Sequence, residues 1–73
     1  MPIIRVEMWK GATKEMKAAI AKEITETVSR IAKKPAEYID VLFTDYEKED
    51  WAKGGELASD IDWDKVRRER EKR

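Results

Sequence analysis

The chain contains neither cysteine nor histidine. Disulfides, thiolate nucleophiles, Cys/His zinc sites and histidine-based triads are therefore excluded. No motif calls for a cofactor or a metal. There is no excess charge of either sign: 16 Lys and Arg face 16 Asp and Glu. That balance argues against a nucleic-acid partner. No apolar run is long enough to cross a membrane, and no signal-peptide core is present, so the expectation is a soluble cytoplasmic protein. Glycine and proline are scarce, three and two residues in 73, so each marks a boundary. A chain of this length forms one small domain, and below ~70–80 residues a single core is thin. With disulfides excluded, the remaining route to stability is oligomerisation.

Period-two alternation occurs twice. Ile4, Val6 and Met8 alternate with Ile3, Arg5, Glu7 and Trp9, which predicts a strand over 3–9. The second set carries large apolar groups at both ends, so that face is expected to be buried by another subunit or around a pocket. Ile39, Val41 and Phe43 alternate with Asp40, Leu42 and Thr44 in a second strand. Between them, Met16, Ala19, Ile20, Ile24, Val28 and Ile31 recur at helical spacing. Thr13 is the expected N-cap, Glu26 and Arg30 a stabilising i,i+4 pair, and Pro35 the stop. Strand, helix and strand predict parallel strands joined by one right-handed crossover. Asp45 to Lys53 reads as a loop, and Gly54-Gly55 as the turn of a small hairpin over 51–57. From Asp62 onward the chain is charged. Asp62 is a candidate cap, and Trp63 and Val66 are the only apolar anchors. The basic residues of this tail are interrupted by Glu69 and Glu71, the pattern of a solvated, partly frayed tail rather than a nucleic-acid arm.

Pro2 is the one chemically distinctive position. With Met1 removed, it presents a secondary amine on a rigid ring. An α-amino group titrates near ~7.7–8.0, and apolar burial lowers that value toward the range that suits a general base. The plainer reading is that Pro2 starts a strand.

Met-Pro-Ile-Ile at the start, the Gly11 turn, Pro35 after the helix and Gly-Gly-Glu-Leu-Ala-Ser at 54–59 resemble the 4-oxalocrotonate tautomerase family over residues 2–59. The resemblance implies an α+β fold, a small β-α-β tautomerase unit over 1–60 with a C-terminal hairpin. A charged, helical tail is expected over 61–73, longer than is usual for the family. It implies pairing of sheets into dimers, three dimers in a hexamer, and pockets built from more than one subunit. It also implies keto–enol tautomerisation of a small 2-oxo acid with Pro2 as the catalytic base. Ile3, Trp9, Asp40 and Trp51 would line the pocket, Trp51 standing for the family's usual phenylalanine and Trp9 for a leucine.

Two departures bear on substrate. The family's carboxylate-binding arginines correspond to Ala12 and Asp40. Alanine offers no clamp and aspartate repels a carboxylate, which argues against a dicarboxylate substrate. Lys10, Arg5 and Lys53 are the candidates to supply the missing charge. Two indoles favour an aromatic enol acid such as phenylenolpyruvate over 2-hydroxymuconate. Asp40 admits alternatives. It activates water beside a protonated Pro2, in a hydratase, dehalogenase or decarboxylase, or it pairs with Arg5 or a lysine across an interface. Retention of Met1 would instead give a non-catalytic oligomer.

Overall fold

The structure, a computed structural model, describes residues 2–71, so the expectation about Met1 lies outside the described residues. The alternating segment forms β1 (Ile3–Trp9) and the helical stripe forms α1 (Lys14–Ala32). A 3₁₀ turn over Ala36–Tyr38 leads to β2 (Asp40–Tyr46). A second turn, Lys48–Asp50, precedes the short strands β3 (Ala52–Lys53) and β4 (Glu56–Leu57), and α2 spans Trp63–Glu71.

β1 and β2 pair in parallel, in unbroken register from Ile3 opposite Asp40 to Trp9 opposite Tyr46. The ladder runs two residues past the expected end of β2. Asp45 and Tyr46 read as loop in sequence because aspartate is rare in strands. Tertiary partners hold them in line: Lys17 Nζ lies 2.7 Å from Asp45 Oδ2, and Tyr46 donates to Glu7 Oε1 at 2.6 Å. β3 and β4 form the antiparallel hairpin, with Gly54 and Gly55 at φ +61 and +86. Two successive positive φ values make the tight turn that glycine permits.

Both ends of α1 follow local chemistry. Thr13 Oγ1 accepts from Met16 N–H at 3.1 Å, filling one of the orphan donors of the first turn. At the other end Lys33 leaves the helix in the left-handed region, φ 56 and ψ 47, with its N–H on Ser29 O. Two expectations about this helix are corrected. Glu26 pairs with Lys22 at 3.2 Å rather than with Arg30. Met16 and Ile31, read as part of the stripe covering the sheet, are 54% and 66% exposed. A helix over only two strands cannot cover all its apolar residues. The sheet-facing stripe is narrower, and the outer apolar groups are left for another surface.

Among the described residues only Ile39 and Ala58 are buried apolar groups. Ile3 and Leu42 stand exposed on the sheet face away from α1. The tail takes the expected helical form, with Asp62 at its start. Asp62 Oδ1 accepts from Lys65 N–H at 3.0 Å, and α2 is a regular helix through Glu71.

The left-handed Lys33 generates a test. A β-carbon there costs about 1 kcal/mol that glycine avoids, partly offset by glycine's greater freedom when unfolded. Lys33→Gly is expected to raise stability by ~0.5–1 kcal/mol in urea melts at fixed protein concentration. An unchanged or lowered midpoint would refute this reading of the cap.

Candidate active site at the amino-terminal proline

Pro2 lies just before β1, and its carbonyl accepts from Asp40 N–H at 3.1 Å. That bond fixes the start of β1 to the start of β2. Asp40 sits directly opposite Ile3, so neighbouring parallel positions put both side chains on one sheet face. Arg5 follows Ile3 on the same face, opposite Leu42. Pro2, Ile3, Asp40 and Arg5 are thus brought together at one end of the sheet. Asp40 is exposed and makes no ion pair with Arg5 or any lysine among the described residues. The alternative of pairing with Arg5 is not met within the protomer.

Trp9 and Trp51 lie elsewhere. Six strand steps separate Ile3 from Trp9, about 20 Å at ~3.3 Å per residue. At this far end Trp9 meets Trp51 edge-on at 5.9 Å and Trp63 at 5.0 Å, and Trp51 meets Tyr46 at 5.5 Å. Such pairs contribute ~0.5–1.5 kcal/mol each beyond burial. Lys48 Nζ stands 5.1 Å over the Trp9 ring. The cluster also holds a cost, since Trp9 Nε1 is buried without a hydrogen-bond partner among the described residues. Within one protomer, strand length keeps Trp9 and Trp51 away from Pro2, so a pocket lined by all three needs more than one subunit. Within the protomer Trp9 packs against Trp51 and Trp63.

The three candidate cations divide in the same way. Lys10 follows Trp9 at the far end, 3.2 Å from Glu47, and Lys53 sits in the hairpin opposite Glu56. Arg5 alone lies toward the Pro2 end of the sheet, on the face of Ile3 and Asp40. Depressions of the protomer surface among the described residues include two of similar size. One of about 260 Å³ is lined by Glu23, Ile24, Thr27 and Val28, and one of about 290 Å³ by Glu56, Ile61, Asp62, Lys65, Val66 and Glu69. Neither includes Pro2, Asp40 or Trp51. A single protomer thus carries two partial surfaces: a proline with a carboxylate and a guanidinium, and a distant aromatic cluster.

Sequence reasoning treated Trp63 only as an anchor of the tail. Its place beside Trp9 had one visible signal, a large indole at the start of an otherwise charged helix.

The β-α-β unit has known relatives in sequence and in fold. The family described as Tautomerase enzyme matches residues 2–61. A probable tautomerase of Lactococcus lactis is 46% identical over 57 residues, 78% of this chain and 93% of that protein. A probable tautomerase of Listeria monocytogenes is 38% identical over 61 residues, 84% of this chain and all of that protein. Among solved structures, YwhB, a homologue of 4-oxalocrotonate tautomerase, superposes with TM-score 0.80 at 30% identity, covering 84% of this chain and all of its own. A heterohexameric 4-oxalocrotonate tautomerase from Chloroflexus aurantiacus shares the fold, with TM-score 0.79 at 20% identity over 84% of this chain and 98% of its own. The chain belongs to the tautomerase family.

One titration tests the geometry toward the far end of the sheet. The hydrogen bond to Glu7, then burial, then the charge of Glu7 raise the Tyr46 phenol above its ordinary 10.0. A raised phenol means the folded state favours the protonated form. The contribution is complete below pH ~10 and is lost as pH rises through the raised value. Glu7→Ala is expected to bring Tyr46 ionisation back down, read by ultraviolet titration in a Tyr38→Phe background. Coincident titration curves with and without Glu7 would show that the bond does not form.

Proposed function

We propose that this chain is a keto–enol tautomerase of small 2-oxo acids, with Pro2 as general base after removal of Met1. The observation that carries the reading is the position of Pro2. It is the first residue of the tautomerase match and is tied by its carbonyl to the second strand. In the neutral form, the Pro2 amine takes the hydroxyl proton of the enol. The resulting ammonium returns a proton to the adjacent carbon, leaving the 2-oxo acid and a neutral amine. Nothing is consumed, so no cofactor is needed. Arg5 is the cation proposed to meet the substrate carboxylate, being the only one of the three candidates toward the Pro2 end of the sheet.

The pocket is completed by assembly. Exposed Ile3 and Leu42 on the sheet, exposed Met16 and Ile31 on α1, and a two-stranded sheet with both outer edges unpaired support that reading. A second copy would bring its aromatic cluster to the Pro2 end, which the protomer's own cluster cannot reach. Sheets paired into dimers and three dimers in a hexamer are the proposed form, and the Chloroflexus protein of the same fold is a heterohexamer. Sedimentation equilibrium at micromolar concentration should give a mass several times the 8.6 kDa of one chain. A stable folded monomer would refute the assembled pocket.

A second reading has one observation in its favour. Asp40 is held beside Pro2 by the backbone bond, with no ion pair of its own among the described residues. A carboxylate so placed can activate water beside a protonated Pro2, giving hydration, dehalogenation or decarboxylation. Asp40→Asn separates the two. For a tautomerase it removes a charge that favours the protonated amine, so the acidic limb of kcat/KM shifts to lower pH and activity persists. For a water-activating enzyme it abolishes turnover. Pro2→Ala keeps a terminal amine without the ring and is expected to reduce either chemistry by at least about tenfold. Full activity of Pro2→Ala on every substrate would reduce Pro2 to a strand start.

A further inference from the structure

The last helix lies outside the matched tautomerase segment, residues 2–61, yet it touches the aromatic cluster directly. Trp63, its first residue, makes two contacts of different kinds. Its ring packs edge-on against Trp9 at 5.0 Å. Its Nε1–H donates to Ala58 O at 2.9 Å. Ala58 is wholly buried, and its own N–H donates to Trp51 O at 2.7 Å. A continuous path therefore runs from the Trp63 indole through the Ala58 peptide to the Trp51 backbone. The rings repeat the link, since Trp9 lies between Trp63 and Trp51. Trp51 is fixed at both backbone and side chain by contacts that converge on Trp63.

We infer that Trp63 is a positioning residue for Trp51: through Ala58 and Trp9 it sets the orientation of the aromatic wall that Trp51 offers to substrate. The inference rests on the proposed tautomerase site, in which the Trp51 cluster of one copy faces Pro2 of another. It adds a specificity function for α2. The hairpin that follows Trp51 is two residues per strand around two glycines, which alone gives little rigidity. The side-chain hydrogen bond of Trp63 closes that hairpin from the outside. With it, a flat substrate meets an ordered indole. Without it, Trp51 samples several orientations and a flat substrate binds less well. A small enol that does not reach the wall is indifferent to the change. The consequence is a rise in KM confined to aromatic substrates, with little change in kcat.

The test uses the full chain, with Trp63→Ala, Trp63→Phe and, as a control on the same helix, Val66→Ala. Phenylenolpyruvate and enolpyruvate serve as substrates, and amide exchange at Ala58 and the Trp51 indole N–H resonance report the geometry. Trp63→Ala should raise KM for phenylenolpyruvate by about fivefold to tenfold, leave kcat within about twofold, and leave both constants for enolpyruvate nearly unchanged. Ala58 exchange should accelerate, and the Trp51 resonance should broaden or shift. Trp63→Phe keeps the ring and loses the donor, so it should recover part of the KM while Ala58 exchange stays fast. Val66→Ala should match the parent. Unchanged exchange and an unchanged Trp51 resonance in Trp63→Ala would overturn the inference. So would equal losses on both substrates accompanied by loss of folded protein, which would mean a purely structural role. The exchange and resonance readings do not depend on turnover. A parent chain that turns over neither enol would refute the tautomerase reading, and these two readings would still decide whether Trp63 positions Trp51.

Discussion

Parallel pairing of β1 with β2 is the constraint on which the rest depends. Seven residues of each strand face one another without a break. The register sets which side chains meet α1 and which face away, and a slip of one residue would exchange the two sets. It also sets where the chemistry lies. The bond from Asp40 N–H to Pro2 O holds the proline and the carboxylate at one end, while Trp9 and Tyr46 close the other. Strand length then separates the two groups by more than any side chain can span.

That separation ties the proposed catalysis to assembly. A protomer that buries only Ile39 and Ala58 among its described apolar residues has a thin core. The same surfaces that leave it thin, the outer apolar groups of α1 and the far face of the sheet, are those a second copy could cover. In the proposed oligomer, stabilising the fold and completing the pocket are a single event. Dissociation would remove the aromatic wall from Pro2 at the same moment that it exposed Ile3 and Leu42 to water.

Periodicity made the elements legible because each of the long ones has one dominant spacing. Ile4, Val6 and Met8 repeat every two residues, and Ile20, Ile24 and Val28 every four. Thr13, Pro35 and Gly54-Gly55 marked boundaries by mechanisms local to the chain. What was not legible depended on partners distant in sequence. Asp45 and Tyr46 read as loop because Lys17 and Glu7, which hold them in the ladder, lie far back in the chain. Met16 and Ile31 obeyed the helical spacing, yet a two-stranded sheet is too narrow to receive them. The candidate site divided along the same line. Alternation predicts that Ile3 and Asp40 share a face, whereas the register that sets them opposite one another beside Pro2 comes from tertiary pairing. The distance of Trp9 and Trp51 from Pro2 follows from strand length, and Trp63 entered the cluster through a tertiary contact with no period to announce it.

The charges around Pro2 limit the substrates that the proposed site could accept. Cross-strand neighbours on one face lie about 5 Å apart, so a substrate carboxylate over Ile3 would sit near Asp40. Two unit charges at ~5 Å repel by about 0.8 kcal/mol in bulk water and by about 3 kcal/mol at an effective dielectric constant of ~20. Arg5, two residues along β1 on that face, offers one compensating charge. A monocarboxylate can turn its single charge toward Arg5 and away from Asp40. A dicarboxylate cannot do so at both ends, because Ala12 supplies no second cation and the far wall is built of indoles. Orientation then follows from charge alone. In the proposed oligomer the carboxylate would lie toward Arg5, the reacting carbon and oxygen over the Pro2 nitrogen, and the apolar end toward the aromatic cluster of the neighbouring copy. On the resemblance, Ala12 and Asp40 stand where the family carries arginines, and the consequence for the proposed site goes beyond affinity: it would grip a substrate at a single end and read the other by shape.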